Sequence, residues 1–414
     1  MAEMPASRWS AWFSGCAGLN KGCSARTVRR RRVLVVQLRV FDTHEQLQSR
    51  ADDWNDLWRR SETALPTGQA EPLLVWLRHF AAELPFRALV VEDHERLVAA
   101  LPLIGRRGAG VLPIAASAGN QWSSAGELLL DREADVDGAA DLLCEGLRAL
   151  PWPLAWFRGA RGSSRAWHLL VERFGQAGMP ARRQAMFQVG QVCLPDDFAD
   201  MERAWSGNHR RHLRKAARRV EAAGGCDLQI YRDLSPAEVE PLVRTGFEME
   251  HRGWKGVAGG SVLASDAILT FFFEQARALA AAGNLRLLFL SHRGQPIAFE
   301  YGLAAKGHYF SLKVAYDEAF ARFSPGQLLR YRFFEDQSRR APGTIVDFMG
   351  PLSDATGKWV NHVDDVDALM LGTWPRIGGA VIAAMGVARR ARNQWRAFRA
   401  EGPSVGTAAP LPAH

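Results

Sequence analysis

The chain is poor in cysteine, and its cysteines do not form a scaffold. Cys16, Cys23, Cys144, Cys193 and Cys226 are the only five in 414 residues, and none forms a C-x-x-C pair. An odd, scattered set argues against a disulfide framework and a cysteine-based zinc site, and it suits a reducing compartment. The expected location is therefore the cytoplasm. No apolar run reaches the ~18–20 residues that cross a bilayer. The patterns G-x-S-x-G, G-x-x-x-x-G-K-[ST] and H-E-x-x-H are missing, so serine-hydrolase, P-loop and zincin chemistry lack motif support. Near the N-terminus Trp9, Trp12 and Phe13 precede the basic run Arg29–Arg32. A signal peptide has the opposite order. Residues 1–32 read as a disordered extension, and the Pro/Ala/Gly-rich residues 401–414 as a disordered tail.

What is present is ordinary globular material. A hydrophobic share of 47% beside 23% charge supports a folded chain, and 414 residues suit two domains. The net charge of +8 is clustered. Arg210, Arg211, Arg214, Lys215, Arg218 and Arg219 lie in HRRHLRKAARR, and Arg389, Arg390, Arg392, Arg396 and Arg399 lie near the C-terminus. Such clusters suit anionic partners. The first reads as a helix with an apolar stripe of Leu213, Ala216, Ala217 and Val220; a solvated basic face is the plainer alternative. His209 and His212 have no companion ligands, so no metal is expected.

An internal repeat organises the middle of the chain. At a constant offset of 199, PLLVWLRHFAAEL (72–84) falls on FFFEQARALAAAG (271–283). RALVVEDHERLVAALPLI then falls on RLLFLSHRGQPIAFEYGL, and GAGVLPIAAS on GHYFSLKVAY. Each copy reads helix, strand, polar turn, strand, turn, strand. The copies differ where chemistry would sit. Leu101 stands opposite Glu300, Ile114 stands opposite Lys313, and the first copy has no counterpart of Ser324-Pro325-Gly326. The second copy is expected to work, and the first to pack against it and line part of a cleft.

Ser324, Pro325 and Gly326 open a helix after a strand meander. Ser suits the N-cap, Pro the first helical position, and Gly allows close approach of a ligand. Free N–H groups and the helix dipole would favour a phosphate there. Glu300 lies in an apolar strand on the face of Ala298 and Gly302. It is either paired, with Lys313 or Asp317 as partners, or a functional base with a raised pKa. GFEMEHRGWKG (246–256) brings Glu250, Trp254 and Lys255 together, as a cleft lining or simply a helix end. Pro375–Ala400 reads as a basic helix with Val381, Ile382 and Met385 on an apolar face, lying on an anionic membrane surface or docked on the fold.

The second half resembles the GNAT superfamily of acyl-CoA N-acyltransferases, and more narrowly the tandem CelD-like acetyltransferases of exopolysaccharide and cellulose gene clusters. HRRHLRKAARR, GWKG, LRLLFLSHRGQPIAFEYGL, Tyr316–Glu318, SPGQLL (324–329) and DFMG (347–350) with Trp359 carry the likeness. It implies an α/β fold of the α+β type, with two tandem GNAT-like domains. Each would be a mixed, mainly antiparallel sheet flanked by helices, a degenerate one at 33–195 and an acyltransferase domain at 196–372. A basic helix at 373–400 would follow.

The implied activity is transfer of an acyl group, acetyl in the first instance, from acyl-CoA to an amine on a small molecule or glycan precursor. No metal is implied. Ser324, Pro325, Gly326, Gln327 and Leu328 would hold the pyrophosphate, and Val314 and Ala315 the thioester. Glu300, Asp317, Lys313 and Tyr316 are the catalytic candidates; Arg211, Arg214, Glu250, Trp254, Lys255 and Asp347 are those for the acceptor. The usual phosphate loop, Q/R-x-x-G-x-G/A, is altered, with Phe323 in its first place and Leu328 in its last. Fem-type transferases share the tandem architecture and take aminoacyl-tRNA, which the basic helix also suits. A non-catalytic accessory protein of a polysaccharide synthesis complex, peripheral at the inner membrane, is the reading from another class.

Overall fold

The computed structural model describes residues 36–108 and 111–400, with side chains as far as Val387 and at Arg390. The extension 1–32, the tail 401–414 and most of the C-terminal arginine side chains lie outside the described residues. The chain is mixed α/β, built on one large, mostly antiparallel sheet flanked by helices. Its strands are β1 (Val36–Phe41), β2 (Phe86–Asp93), β3 (Arg96–Gly108), β4 (Leu112–Ser117), β5 (Leu129–Leu130), β6 (Ala155–Arg161), β7 (Ala181–Cys193), β8 (Asp227–Tyr231), β9 (Leu285–His292), β10 (Gln295–Ala305), β11 (His308–Tyr316), β12 (Ile345–Pro351) and β13 (His362–Leu371).

Across the sheet the order is β1-β2-β3-β4-β6-β13-β7-β12-β11-β10-β9-β8, with β5 beside β3. β4/β6 and β11/β12 pair in parallel; the other neighbours along this path are antiparallel. Both parallel pairs bracket a crossover helix, Val136–Arg148 in the first half and Pro325–Arg340 in the second. A parallel pair needs such a crossover because a tight turn can only reverse the chain.

The sequence register is visible in these elements. β2 and β9 start 199 residues apart, as do β3 and β10. Two features knit the halves together. The last strands are exchanged: β7 sits between β13 and β12, and β13 between β6 and β7. The corresponding helices Ala70–Phe80 and Asp266–Ala281 pack on each other, with the Phe80 and Phe271 rings 4.7 Å apart at a steep angle. Around them one apolar core takes Trp54, Trp58 and Trp76 from the first half and Phe247, Phe272 and Tyr301 from the second. Each such side chain contributes roughly 1.5–3 kcal/mol on burial, so the halves share their largest stabilising term.

After β1 the chain forms two helices, His44–Ser49 and Ala51–Arg60, broken at Arg50. The C-terminal helix does dock, on strands of the first half as well as β13. Its Val381, Ile382 and Met385 pack on Ile114, Leu154 and Met370. Among the described residues no single helix is long and apolar enough to cross a membrane. The bent pair Trp254–Ala264 and Asp266–Ala281 passes by length and composition, but Phe271, Phe272 and Leu279 of it lie in the core.

Candidate active site

The site forms where β11 leaves β12. They pair only from His308/Ile345 to Phe310/Asp347, then splay apart. Asp317 N–H bonds Ile297 O at 3.0 Å on the β10 side. Antiparallel pairing alternates, so the amides of Ala315 and Lys313 also face β10 while those of Val314 and Tyr316 face the gap. Val314 O confirms the direction by accepting the Lys255 ammonium at 3.2 Å. Val314 N–H is thus a backbone donor aimed into the splay, and Ala315 N–H is occupied by the sheet.

At the mouth of the gap stands the start of helix Pro325–Arg340. Ser324 does not cap it with its hydroxyl, contrary to expectation. Its backbone is left-handed, with φ 53° and ψ 53°, and its carbonyl takes the N–H groups of Gln327 and Leu328 at 2.9 and 3.1 Å. The first turn holds no acid, and a side chain at Gly326 would meet only the Tyr316 ring, at 3.8 Å. Room, the Gly326 N–H and the dipole combine there without a competing carboxylate. Gln327 is turned inward and accepts from Trp359 Nε1 at 3.2 Å. Leu328 is core. Arg219 lies beside this end, its guanidinium 3.3 Å from Arg322 O.

Glu300 lies on the helix-325 side of the sheet. It is 3% exposed, accepts a hydrogen bond from Tyr309 Oη at 2.9 Å, and has buried Arg330 nearby. Burial pushes its carboxyl up, against the pull of Arg330, Ser311 and Tyr309. The ion pairs foreseen with Lys313 or Asp317 do not form. Lys313 projects from the opposite face, and the Asp317 carboxylate caps Ala319 N–H at 2.9 Å. Strand alternation separates Glu300 from Lys313: Glu300 pairs with Val314, and Lys313 with Tyr301.

The second face of the splay collects the other charged candidates. Glu250 is 4% exposed and grips Lys255 Nζ at 2.8 Å and Val262 N–H at 3.0 Å. Lys313 lies 4.5 Å over the ring of Trp122, a residue of the first half. Burial pushes its ammonium down, while Glu250 pulls it back up. Trp254 is 64% exposed, with its N–H on Glu318 at 2.9 Å, so it forms an outer rim. Tyr316 is exposed at the strand end. On β12, Asp347 is buried and held by Arg161 at 3.0 Å and Gln191 at 2.8 Å. Arg211 and Arg214 lie apart, on the exposed face of helix Gly207–Ala222.

Two residues here escaped the sequence reading, Trp122 and Arg161, both from the first half. For Trp122 the sequence signal was the position of the loop 118–128 opposite the Ser324 region; Arg161, at the end of β6, had none. His209 is buried against Trp205 and Trp359, ring centres 5.2 and 4.5 Å away, and burial lowers its pKa to about 4. Among the described residues no group of three or more His, Cys, Asp or Glu is placed to hold a metal.

Residues 207–355, which contain this whole splay and its helix, match the acetyltransferase (GNAT) domain family. The match supports a transferase of the GNAT type. GNAT domains typically use acyl-CoA as the donor. The chain resembles the crystal structure of FemX at 9% identity, covering 80% of this chain and 96% of that one, with a TM-score of 0.52, a likeness of fold. It also resembles the C-terminal domain of a putative lysylphosphatidylglycerol synthetase from Agrobacterium fabrum (14% identity, 82% and 96% covered, TM-score 0.48). A tandem GNAT protein from the clavulanic acid pathway matches at 14% identity, with 80% and 98% covered and a TM-score of 0.45. No curated protein matches the sequence.

Proposed function

We propose that the chain is an N-acyltransferase that moves an acyl group from acyl-CoA to an amine. One observation carries the reading: a splayed parallel pair with Val314 N–H in the gap and an acid-free helix N-terminus at its mouth. The pyrophosphate would rest on the Gly326 N–H at the positive end of the helix dipole, with Arg219 and Arg322 as nearby cations. The acyl carbonyl would lie against Val314 N–H, which would stabilise the oxyanion as the amine attacks. The acceptor would come from the other face, past Trp254, towards Lys255, Lys313 and the loop 118–128.

In this reading residues 33–195 form a degenerate GNAT-like unit and 196–372 the acting one, with exchanged final strands. A glycan precursor of the cell envelope or an exopolysaccharide is the acceptor class that the sequence likeness favours. A cytoplasmic enzyme with peripheral inner-membrane contact would use the turns beyond Val387, since Val381, Ile382 and Met385 are already packed. The basic exposed face of helix Gly207–Ala222 favours a second reading, in which aminoacyl-tRNA is the donor. Thermal unfolding in the presence of acetyl-CoA, and separately of tRNA, separates the two. Protection by acetyl-CoA and none by tRNA is expected; the reverse would replace the first reading by the second, and protection by neither would leave a non-catalytic accessory protein.

A further inference from the structure

The exposed face of helix Gly207–Ala222 is a band of cations. With about 100° between successive residues, Arg214, Arg218, Arg211, Lys215 and Arg219 follow one another around one exposed arc. His209, Leu213, Ala216 and Val220 turn the other way, into the core. Glu221 is the only acid of the helix. Among the described residues no carboxylate comes within 4.0 Å of these five cations. Arg203, on the preceding helix Phe198–Ala204, has Asp200 as its partner instead. The pairs Arg211/Lys215, Arg214/Arg218 and Lys215/Arg219 stand one turn apart and repel, which destabilises the helix unless an anion answers them.

Each edge of this arc meets a feature of the fold. Arg219 reaches the mouth of the gap, its guanidinium 3.3 Å from the carbonyl of Arg322, just before Ser324. Arg214 stands at a cleft of about 190 Å³ between this helix and helix Pro325–Arg340, lined by the apolar Leu213, Ala217, Val220 and Leu328 and by Arg332. Towards the N-terminal end of the helix the surface charge reverses, with Asp197 and Asp200 exposed. The mouth itself offers little to a pyrophosphate. Pro325 has no N–H, and Gln327 and Leu328 give theirs to Ser324 O, which leaves the Gly326 N–H. One amide at a helix end suits one phosphate group.

We propose that the acyl group reaches the gap on the phosphopantetheine arm of an acidic carrier protein docked on helix Gly207–Ala222. This rests on the acyltransferase reading and names the bearer of its thioester. The arm has a single phosphate, which the Gly326 N–H and Arg219 receive. Carboxylates on a helix of the carrier meet Arg211, Lys215 and Arg218, and an apolar side chain of that helix fills the cleft beside Arg214. A nucleic acid answers the charge but brings no apolar side chain to the cleft. The cations from Arg211 to Arg219 also span only about 12 Å, enough for few phosphates. In the transfer, the neutral acceptor amine attacks the thioester carbonyl carbon. A C–N bond forms and the C–S bond breaks. The leaving pantetheine thiolate takes the proton that the nitrogen loses, giving the amide and a carrier with a free thiol. Acetyl-CoA shares the arm and enters the same gap, without the contacts to the helix.

The test uses the full chain, wild type and the double variant Lys215→Glu/Arg218→Glu, with two probes that share the arm. One is acetyl-CoA; the other is a purified acyl carrier protein loaded with acetyl-phosphopantetheine. Calorimetry at low ionic strength should show the wild type binding the loaded carrier about 10-fold more tightly than acetyl-CoA, with an affinity that falls as salt is added. The double variant should lose that advantage and keep the wild-type affinity for acetyl-CoA. Its Tm should also stay as it was, because both side chains are exposed. A wild type that binds acetyl-CoA as well as the carrier overturns the proposal and leaves the acyltransferase reading standing. So does a carrier affinity that ignores the charge reversal. Failure of both probes to bind the wild type overturns the acyltransferase reading itself. A wild type that ignores the carrier but binds tRNA, with that binding lost in the variant, replaces the carrier by a nucleic acid.

Discussion

Helix Pro325–Arg340 and its counterpart Val136–Arg148 differ most at their first turns. In the first half Asp135 caps its own helix, accepting from Gly138 N–H at 3.1 Å, and Asp137 adds a second acid. In the second half Ser324 makes no side-chain cap and the first turn has no acid. The same crossover helix thus ends in a self-satisfied terminus in one copy and in a terminus open to an anion in the other. An N-terminus offers its donors to a ligand only when no carboxylate of its own takes them. The difference needs few side chains and leaves the sheet unchanged.

Copying the acid of the first half into the second should break the contrast most. Gly326→Asp is expected to weaken acetyl-CoA binding roughly 100-fold, through repulsion of the pyrophosphate at a dipole end worth up to ~2 kcal/mol and the loss of space. The fold should survive, because the added atoms meet only Tyr316. Calorimetry checks the first point and thermal unfolding the second; undiminished affinity would move the donor site elsewhere.

The joint between the halves offers the next effect. Lys306, on the β10–β11 turn, donates to Ser61 O at 3.0 Å, to Thr63 O at 2.8 Å and to Trp58 O, above the Trp58 ring. Burial and Arg132 bring its ammonium down to about 8, so it is charged at neutral pH. Lys306→Met keeps the stem but leaves those carbonyls without a donor, at a cost of about 2 kcal/mol in denaturant unfolding. A variant as stable as wild type would show that the cradle holds nothing together.

The smallest effect sharpens the comparison from the other side. Asp135→Ala removes the first-half cap and should cost about 1 kcal/mol of stability. Acetyl-CoA affinity should stay as it was. If affinity falls, the first half holds donor as well, and the two helix ends are not as different as they look.

Much of the fold was legible from sequence because it rests on local pattern. The alternation in LRLLFLSHRGQPIAFEYGL, the turn signals His292–Gly294 and Lys306–Gly307, and the helix stop at Gly224 all act over a few residues. The helix Pro325–Arg340 was legible for the same reason, since Ser324–Gly326 is one short segment. The opposite face of the splay was not. Glu250 and Lys255 were grouped by being near in sequence, but Trp122 and Arg161 come from the other half. Glu300 drew notice as an acid in an apolar strand, yet period-two alternation cannot say which face carries the substrate.

By itself, the sequence determined the order of strands and helices, the repeat at 199 residues, and which copy has an open helix end, because each depends on neighbouring residues and backbone chemistry. Tertiary structure alone decided that β7 and β13 trade places, that Ala70–Phe80 lies on Asp266–Ala281, and that Trp122 of a first-half loop lies under Lys313 of β11. Those outcomes follow from burying apolar faces that no single half can cover, a term set by total surface and not by any local run of residues.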